Sequence, residues 1–111
     1  MKIDTSELKR CDLVEVSGRI DSSNADDLMV ALNAIQEAGR HKIVLDLSKL
    51  EFMSSKGWWV LIQAQKASKR YNRGEVLLAA VPAKIKDALD LVGIDKLFTQ
   101  YDDPIDAVGS F

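Results

Sequence analysis

Residues 45–61 read LDLSKLEFMSSKGWWVL, and this stretch is the most informative part of the chain. It begins inside Ile43–Leu47, a short apolar and β-branched run with the profile of a buried strand. A short loop follows, and Ser54 and Ser55 stand at the start of a helix predicted from about Ser55 to Tyr71. Either serine can cap this helix by accepting a first-turn N–H, which typically contributes about 1 kcal/mol. The same position also suits a phosphoserine, because a helix N-terminus stabilises negative charge.

Strands and helices alternate on both sides of this stretch. This order predicts an α/β fold whose sheet has a parallel centre. The predicted strands lie near Ile3 and at Leu13–Ile20, Val76–Val81 and Leu97–Thr99. The other predicted helices run from the candidate caps Asp21–Asn24 to Gly39, from Pro82 to Gly93, and over a short segment after Pro104.

The composition limits the classes of function. A chain of 111 residues makes one small domain, and 15 Lys and Arg against 17 Asp and Glu give a net charge of −2. Such a chain has no electrostatic reason to bind nucleic acid or an anionic bilayer. Its apolar runs are far shorter than the ~18 residues of a spanning helix, and its N-terminus lacks the apolar region of a signal peptide. We therefore expect a cytoplasmic protein without membrane insertion and without direct contact to nucleic acid.

The residues that usually carry catalysis are scarce. Cys11 and His41 are the one cysteine and the one histidine, so neither an internal disulfide nor a His/Cys metal cluster is possible. We expect Cys11 to be a small, partly buried thiol at a strand edge and His41 to lie in a solvated loop. No phosphate-binding glycine motif is present, and the carboxylates Asp21, Asp46 and Asp95 are scattered. The sequence thus predicts a non-enzymatic protein with no catalytic residue, no metal and no cofactor.

The helix that follows Ser55 has apolar residues on an unexpected face. At 100° per residue, Trp58, Trp59 and Ile62 fall mostly on the side of the charged residues. The tryptophans either curl over neighbouring apolar surface or form a partner-binding patch beside the serines. The residues predicted to face the sheet are Gly57, Val60, Leu61, Ala64, Ser68 and Tyr71. The basic residues at the end of the helix are expected to form a solvated face: Lys66, Lys69, Arg70 and Arg73.

The chain resembles the STAS domain family, in particular its small single-domain bacterial anti-sigma factor antagonists. The family pattern is a strand ending in Asp-Leu-Ser, followed by Phe/Tyr-Met-Asp-Ser-Ser/Thr-Gly-Leu at the start of a helix. Two further stretches, Gly18–Asp21 and Leu91–Phe98, also resemble family motifs. The resemblance implies a single STAS domain over residues 1–111, with a mixed sheet of four to five strands and about four helices packed against it. The central pattern is matched at Asp46, Leu47, Ser48, Phe52, Met53, Ser55 and Gly57.

The resemblance also implies a function. In this family a partner anti-sigma factor, itself a serine kinase, binds the unphosphorylated protein and phosphorylates it, and a phosphatase resets the protein. Carried over by position, Ser55 is the phosphoacceptor and Asp21 is the acidic residue beside it. A monomer or weak dimer is expected. The partner-binding residues that we expect are Asp21, Ser54, Ser55, Lys56, Trp58, Trp59 and Ile62.

Two residues depart from the family pattern. Ser54 stands where the family has Asp, which makes Ser54 an alternative phosphoacceptor. Lys56 replaces the usual Ser or Thr and sets a cation against the helix dipole, at a cost of about 0.3–1 kcal/mol. Lys56 could instead pair with Asp21 or with a phosphate on Ser55. The departures also allow a second hypothesis: a non-phosphorylated STAS accessory subunit of another complex, such as a lipid ABC transporter ATPase or a signalling assembly.

Overall fold

The computed structural model describes residues 1–111 and contains one sheet of six strands. The strands are β1 (Lys2–Glu7), β2 (Asp12–Ile20), β3 (Lys42–Asp46), β4 (Leu50–Met53), β5 (Glu75–Ala79) and β6 (Gln100–Tyr101). The helices are α1 (Ala25–Glu37), α2 (Ser55–Lys69), α3 (Ala83–Leu91) and α4 (Pro104–Gly109), and short 3-10 turns cover Arg70–Asn72 and Ile94–Leu97. No helix combines the length and the apolar character that crossing a bilayer requires.

The sheet is mixed, with its strands in the order β1-β2-β3-β5-β6. The edge strand β1 is antiparallel to β2, and the other pairs are parallel. The nine-residue β2 is long enough to pair with two strands: Asp12–Glu15 pair with β3, and Gly18–Ile20 pair with β4 after a shift of register. Gly18 adopts a φ of 86° at this irregularity, a conformation that glycine adopts without strain. The predicted α/β class and parallel centre are confirmed, with one strand more than expected.

The additional strand is β4, in a segment that was predicted to be a loop. Its burial alternates imperfectly, because Leu50 and Met53 are buried while Glu51 and Phe52 are exposed. Four residues are too few to show a period of two, so local sequence does not distinguish them from a loop. Their pairing with β2 places the end of β4 beside the end of β2, which positions the candidate functional site.

One predicted strand lies at other residues than expected, and one predicted helix ends earlier. The last strand is Gln100–Tyr101 and not Leu97–Thr99, because Leu97 ends a 3-10 turn and Phe98 is buried in the core. Tyr71 was predicted to face the sheet, but α2 ends at Lys69 and Tyr71 is 84% exposed. The backbone of Tyr71 has a φ of 59°, so the chain reverses there and carries the ring away from the sheet.

Strand alternation divides the apolar residues between two faces of the sheet. On β5, Val76 and Leu78 belong to the larger core with α1, α2 and α3, whereas Leu77 and Ala79 pack with Ala107 of α4. The larger core contains 20 buried residues and the smaller one contains five, so three helices cover one face and α4 covers the other. Burial of this apolar surface is the main source of stability.

Candidate functional site

The ends of β2 and β4 meet where α2 begins. Ile20 is paired with Met53 in the sheet, and the next residue, Ser54, donates its N–H to the Ile20 carbonyl at 2.8 Å. The loop after β2 begins with Asp21, so the topology brings Asp21 and the two serines to one edge of the sheet.

Ser54 and Ser55 have different structural roles. Ser54 is the N-cap of α2, and its hydroxyl accepts the Gly57 N–H at 3.2 Å. Ser55 is the first residue of the helix; its side chain is exposed and forms no hydrogen bond within the chain. The capping role considered for both serines therefore belongs to Ser54, and the hydroxyl of Ser55 is left free.

Gly57 brings the first turn of α2 close to the sheet. A Cβ atom at Gly57 would lie 2.9 Å from Cγ2 of Ile20 and would overlap the sulfur of Met53. A larger residue would require Met53 and Ile20 or the helix start to move, so this glycine permits the close approach of α2 to the ends of the strands.

Asp21 belongs to an ordered loop and is not a free catalytic acid. Its carboxylate accepts the backbone N–H of Ser23 at 2.9 Å and also accepts the Ser23 hydroxyl. These bonds favour the ionised form and lower the pKa of Asp21 below its usual value. The Asn24 side chain links the Asp21 N–H to the Arg19 carbonyl, which closes the loop.

The ion pair of Lys56 differs from the one expected. Its ammonium lies 3.2 Å from the Asp26 carboxylate in the first turn of α1, and not against Asp21. The bonds from Ser23 already hold the Asp21 carboxylate in its own loop, whereas Asp26 projects from a neighbouring helix start. An acidic residue of α1 thus offsets the cation at the N-terminus of α2.

The two tryptophans do not share one environment. Trp58 was expected on the charged face, but it is only 6% exposed and packs in the larger core, so the interpretation that it curls over apolar surface is correct for this residue. Trp59 is 51% exposed, and Ile62 is partly buried against the core. Trp59 lies on the exposed face of α2, as predicted. Trp58 is not exposed as predicted, because β4 and α3 provide apolar surface that covers it beyond the sheet-facing side of α2.

An apolar groove separates α2 from α3 beside Ser55. Two adjoining depressions of about 240 and 360 Å³ share Met53, Trp58 and Ala88. We call them together the α2–α3 groove. Ser55 lies at its rim, so a charged group on Ser55 would border apolar surface. The remaining apolar residues of the groove are Phe52, Trp59, Ile62, Ile85, Val92 and Ile94.

The residues named for possible metal or thiol chemistry lie at the other end of the sheet. Cys11 is buried as expected, and burial together with Asp12 raises the pKa of its thiol, which makes it a poor nucleophile. His41 was expected in a solvated loop, but it is only 7% exposed, and Gly74 approaches its backbone carbonyl so closely that a Cβ atom there would clash. No group of three or more potential ligand side chains is placed to hold a metal ion.

Two buried glutamines were not identified from the sequence. Gln36 donates to the Ala64 carbonyl and the Ser68 hydroxyl, which joins α1 to α2. Gln65 donates to the carbonyls of Val76 and Leu97, and its own oxygen accepts the Val76 N–H at 2.6 Å. Nothing in the local sequence distinguishes these glutamines from solvent-facing ones, because their partners come from distant segments.

Comparison with known proteins agrees with this arrangement. The STAS domain family model matches residues 2–107. The anti-sigma F factor antagonist of Paenibacillus polymyxa is 30% identical over 97 residues, which cover 86% of this chain and 82% of the relative. An anti-sigma factor antagonist from Mycobacterium paratuberculosis is 25% identical and superposes with a TM-score of 0.87 over 98% of this chain and 92% of that one. The phosphorylated form of the Bacillus cell fate determinant SpoIIAA is 12% identical, with a TM-score of 0.71 over 89% of this chain and 90% of that one.

Proposed function

The chain belongs to the STAS domain family and functions as an anti-sigma factor antagonist, and we propose that it binds its partner anti-sigma factor at the start of α2. We further propose that phosphorylation of Ser55 by that partner, acting as a serine kinase, switches binding off and that a phosphatase restores it. The protein then acts in the cytoplasm by binding, not by catalysis. The partner-binding surface comprises Asp21, Ser54, Ser55, Lys56, Trp59 and Ile62, with Trp58 supporting it from the core.

The observation that carries this proposal is the free hydroxyl of Ser55. Ser54 is half-buried and engaged as the N-cap through Gly57, so a kinase would have to reach an oxygen that is already packed against the helix start. Ser55 is exposed and has no such bond, so a kinase can reach it without disturbing α2. This difference favours Ser55 over Ser54 as the phosphoacceptor.

A phosphate on Ser55 is compatible with the helix that carries it. The N-terminal N–H groups of α2 and the helix dipole favour negative charge, and Lys56 follows directly in the chain. Phosphorylation would add a charge of about −1.5 to −2 at a place where the native structure tolerates it. The modified protein therefore remains folded, as a reversible switch requires.

The α2–α3 groove supplies the reason why phosphorylation would oppose binding. A partner that covers the exposed ring of Trp59 must also desolvate the adjacent rim, where Ser55 lies. A neutral hydroxyl is desolvated at modest cost, whereas a phosphate must find compensating charges in the partner. A local change of charge is thus sufficient to change affinity.

The test compares aspartate substitutions at two exposed serines. Ser55→Asp should weaken binding of the purified anti-sigma factor at least about tenfold in calorimetry, while Ser55→Ala should stay within about twofold. Ser6→Asp on the edge strand β1 is the matched control and should bind as the wild type does. Mass spectrometry after incubation with the partner and ATP should locate the phosphate on Ser55.

Two results would contradict parts of this proposal. Undiminished binding by Ser55→Asp, or a phosphate found on Ser54, would refute the switch at Ser55. Tight binding with no phosphate transfer would retain the antagonist function and refute the phosphorylation switch, whereas no binding to any anti-sigma factor would favour the accessory subunit of another complex.

A further inference from the structure

A second site is indicated at the opposite end of the sheet from Ser55. A cavity of about 190 Å³ opens where β2 and β3 begin, whereas Ser55 follows the end of β4. We call it the His41 cavity. Five cationic side chains line it together with His41: Lys9, Arg10, Arg40, Lys42 and Arg73.

The positive charge of this cavity is not balanced within the chain. Asp12 is the one carboxylate among its lining residues, and it is already paired with Arg40. The Arg40 guanidinium also donates to the Leu8 carbonyl at 2.9 Å, so Arg40 has a structural role. The other four cations form no ion pair, although the whole chain has a net charge of −2. An anion bound among them would relieve their mutual repulsion.

Arg73 is held in place for such a contact. Its Nε and one terminal nitrogen donate to the carbonyls of Arg70 and Ala67 at the end of α2. A guanidinium has five N–H donors, so donors remain for a ligand after both carbonyls are satisfied. Arg10 is also partly engaged, because it donates to the Phe111 carbonyl at 3.4 Å.

His41 provides an independent observation. Its side chain is 7% exposed, and its Nδ1 atom is buried without a hydrogen-bond partner. Buried polar atoms nearly always have a partner, so an unpartnered ring nitrogen is unusual beside a cluster of unpaired cations. His41 lines this cavity and also an adjoining, more open depression, and Arg73 lines both. Burial and the charge of Arg73 lower the pKa of His41, and a bound anion would act in the opposite direction.

We propose that the His41 cavity binds a small phosphate-class anion, with Lys9, Lys42 and Arg73 contacting its oxygens and the His41 ring bordering the anion. Arginine and lysine are the usual partners of phosphate oxygens. The cavity volume suits a compact anion, and the net negative charge of the chain disfavours a long polyanion. This site is independent of the proposed role of Ser55.

The test is an NMR titration of the full chain at constant ionic strength. The probes are inorganic phosphate, pyrophosphate and adenosine diphosphate, and chloride serves as the reference anion. We expect saturable shifts at His41, Lys42 and Arg73, including a shift of the His41 Nδ1 signal. Tighter binding of adenosine diphosphate than of pyrophosphate would assign the site to nucleotide phosphates, and the reverse order would assign it to free phosphates.

Two double variants separate a site from general charge attraction. Lys9→Gln/Lys42→Gln removes two cavity cations that make no hydrogen bond or ion pair, so the fold should be retained. Lys86→Gln/Lys96→Gln removes two exposed cations elsewhere and changes the net charge equally. The cavity variant should weaken phosphate binding at least about tenfold and the control less than about twofold. Equal weakening in both variants, or shifts that do not saturate, would overturn the proposal.

Discussion

The ammonium of Lys56 lies 3.2 Å from the carboxylate of Asp26, and this pair joins the first turn of α2 to the first turn of α1. A cation in the first turn of a helix opposes the helix dipole, and Asp26 compensates for it from a neighbouring element. The pair also restrains the residue next to Ser55. Asp26 belongs to the helix that follows the loop containing Asp21.

The Lys56–Asp26 pair should contribute little to stability, because both side chains are largely exposed. In a double-mutant cycle with Lys56→Met and Asp26→Asn, we expect a coupling free energy of about 0.2–1 kcal/mol from urea unfolding. The coupling should diminish in molar salt, which screens exposed charges. A larger, salt-independent coupling would show that the pair is effectively buried.

Gly57→Ala should destabilise the protein by about 1–3 kcal/mol, because the added methyl group meets Ile20 and Met53. Thermal or urea unfolding measures the loss, and partner affinity should fall in parallel as the start of α2 moves outward. Gly109→Ala in α4 is the control, since open space surrounds that position. Equal stability of the two variants would disprove the close approach.

Gln65→Leu should cost about 2–4 kcal/mol, because three backbone groups of Val76 and Leu97 lose their side-chain partner inside the protein. Gln63→Leu on the same helix removes a glutamine that makes no hydrogen bond and should change the free energy of unfolding far less. If the two substitutions cost the same, the network around Gln65 has no special role.

Substitution of Trp58 should mainly reduce stability, and substitution of Trp59 should mainly reduce partner binding. Trp58→Ala should cost about 3–5 kcal/mol of stability, as expected for a buried aromatic ring, whereas Trp59→Ala should cost under about 1 kcal/mol and weaken partner binding. In single-tryptophan variants made by Trp→Phe substitution, iodide should quench Trp59 and leave Trp58 protected. Equal quenching would contradict their different burial.

Stability should decline as the pH falls below the usual His41 pKa of 6.5. Burial and the charge of Arg73 lower the pKa of His41 in the folded protein, so His41 takes up a proton in the unfolded chain at a pH where it does not in the native state. Uptake by the unfolded state favours unfolding on acidification. Between about pH 7.5 and about pH 5.5, His41→Gln should therefore lose less stability than the wild type in urea titrations. Parallel pH profiles would refute this contribution of His41.

Much of the fold follows from local patterns in the sequence. The apolar run Ile43–Leu47 and the period of the residues after Ser55 predict a strand and a helix whose observed bounds differ by one or two residues. These elements are long enough for their hydrophobic period to be read, and the serines before Gly57 mark the helix start. β4 was not predicted, and the last strand was predicted at Leu97–Thr99 but lies at Gln100–Tyr101, because pairing with distant strands determines both.

By itself, the sequence determined the alternation of strands and helices, the place of Ser54 and Ser55 at a helix start, and the apolar character of its first turns. These are properties of neighbouring residues along one chain segment. The tertiary structure alone decided that Ser54 caps while Ser55 stays free, that Trp58 is buried while Trp59 is exposed, and that Lys56 pairs with Asp26. It also placed His41, with its sequence neighbours Arg40 and Lys42, beside three cations from other segments, Lys9, Arg10 and Arg73. The Ser54 cap is a local contact that depends on the residue at which α2 begins. The other outcomes depend on which element packs against which, and contacts between remote residues leave no periodic signal in the sequence.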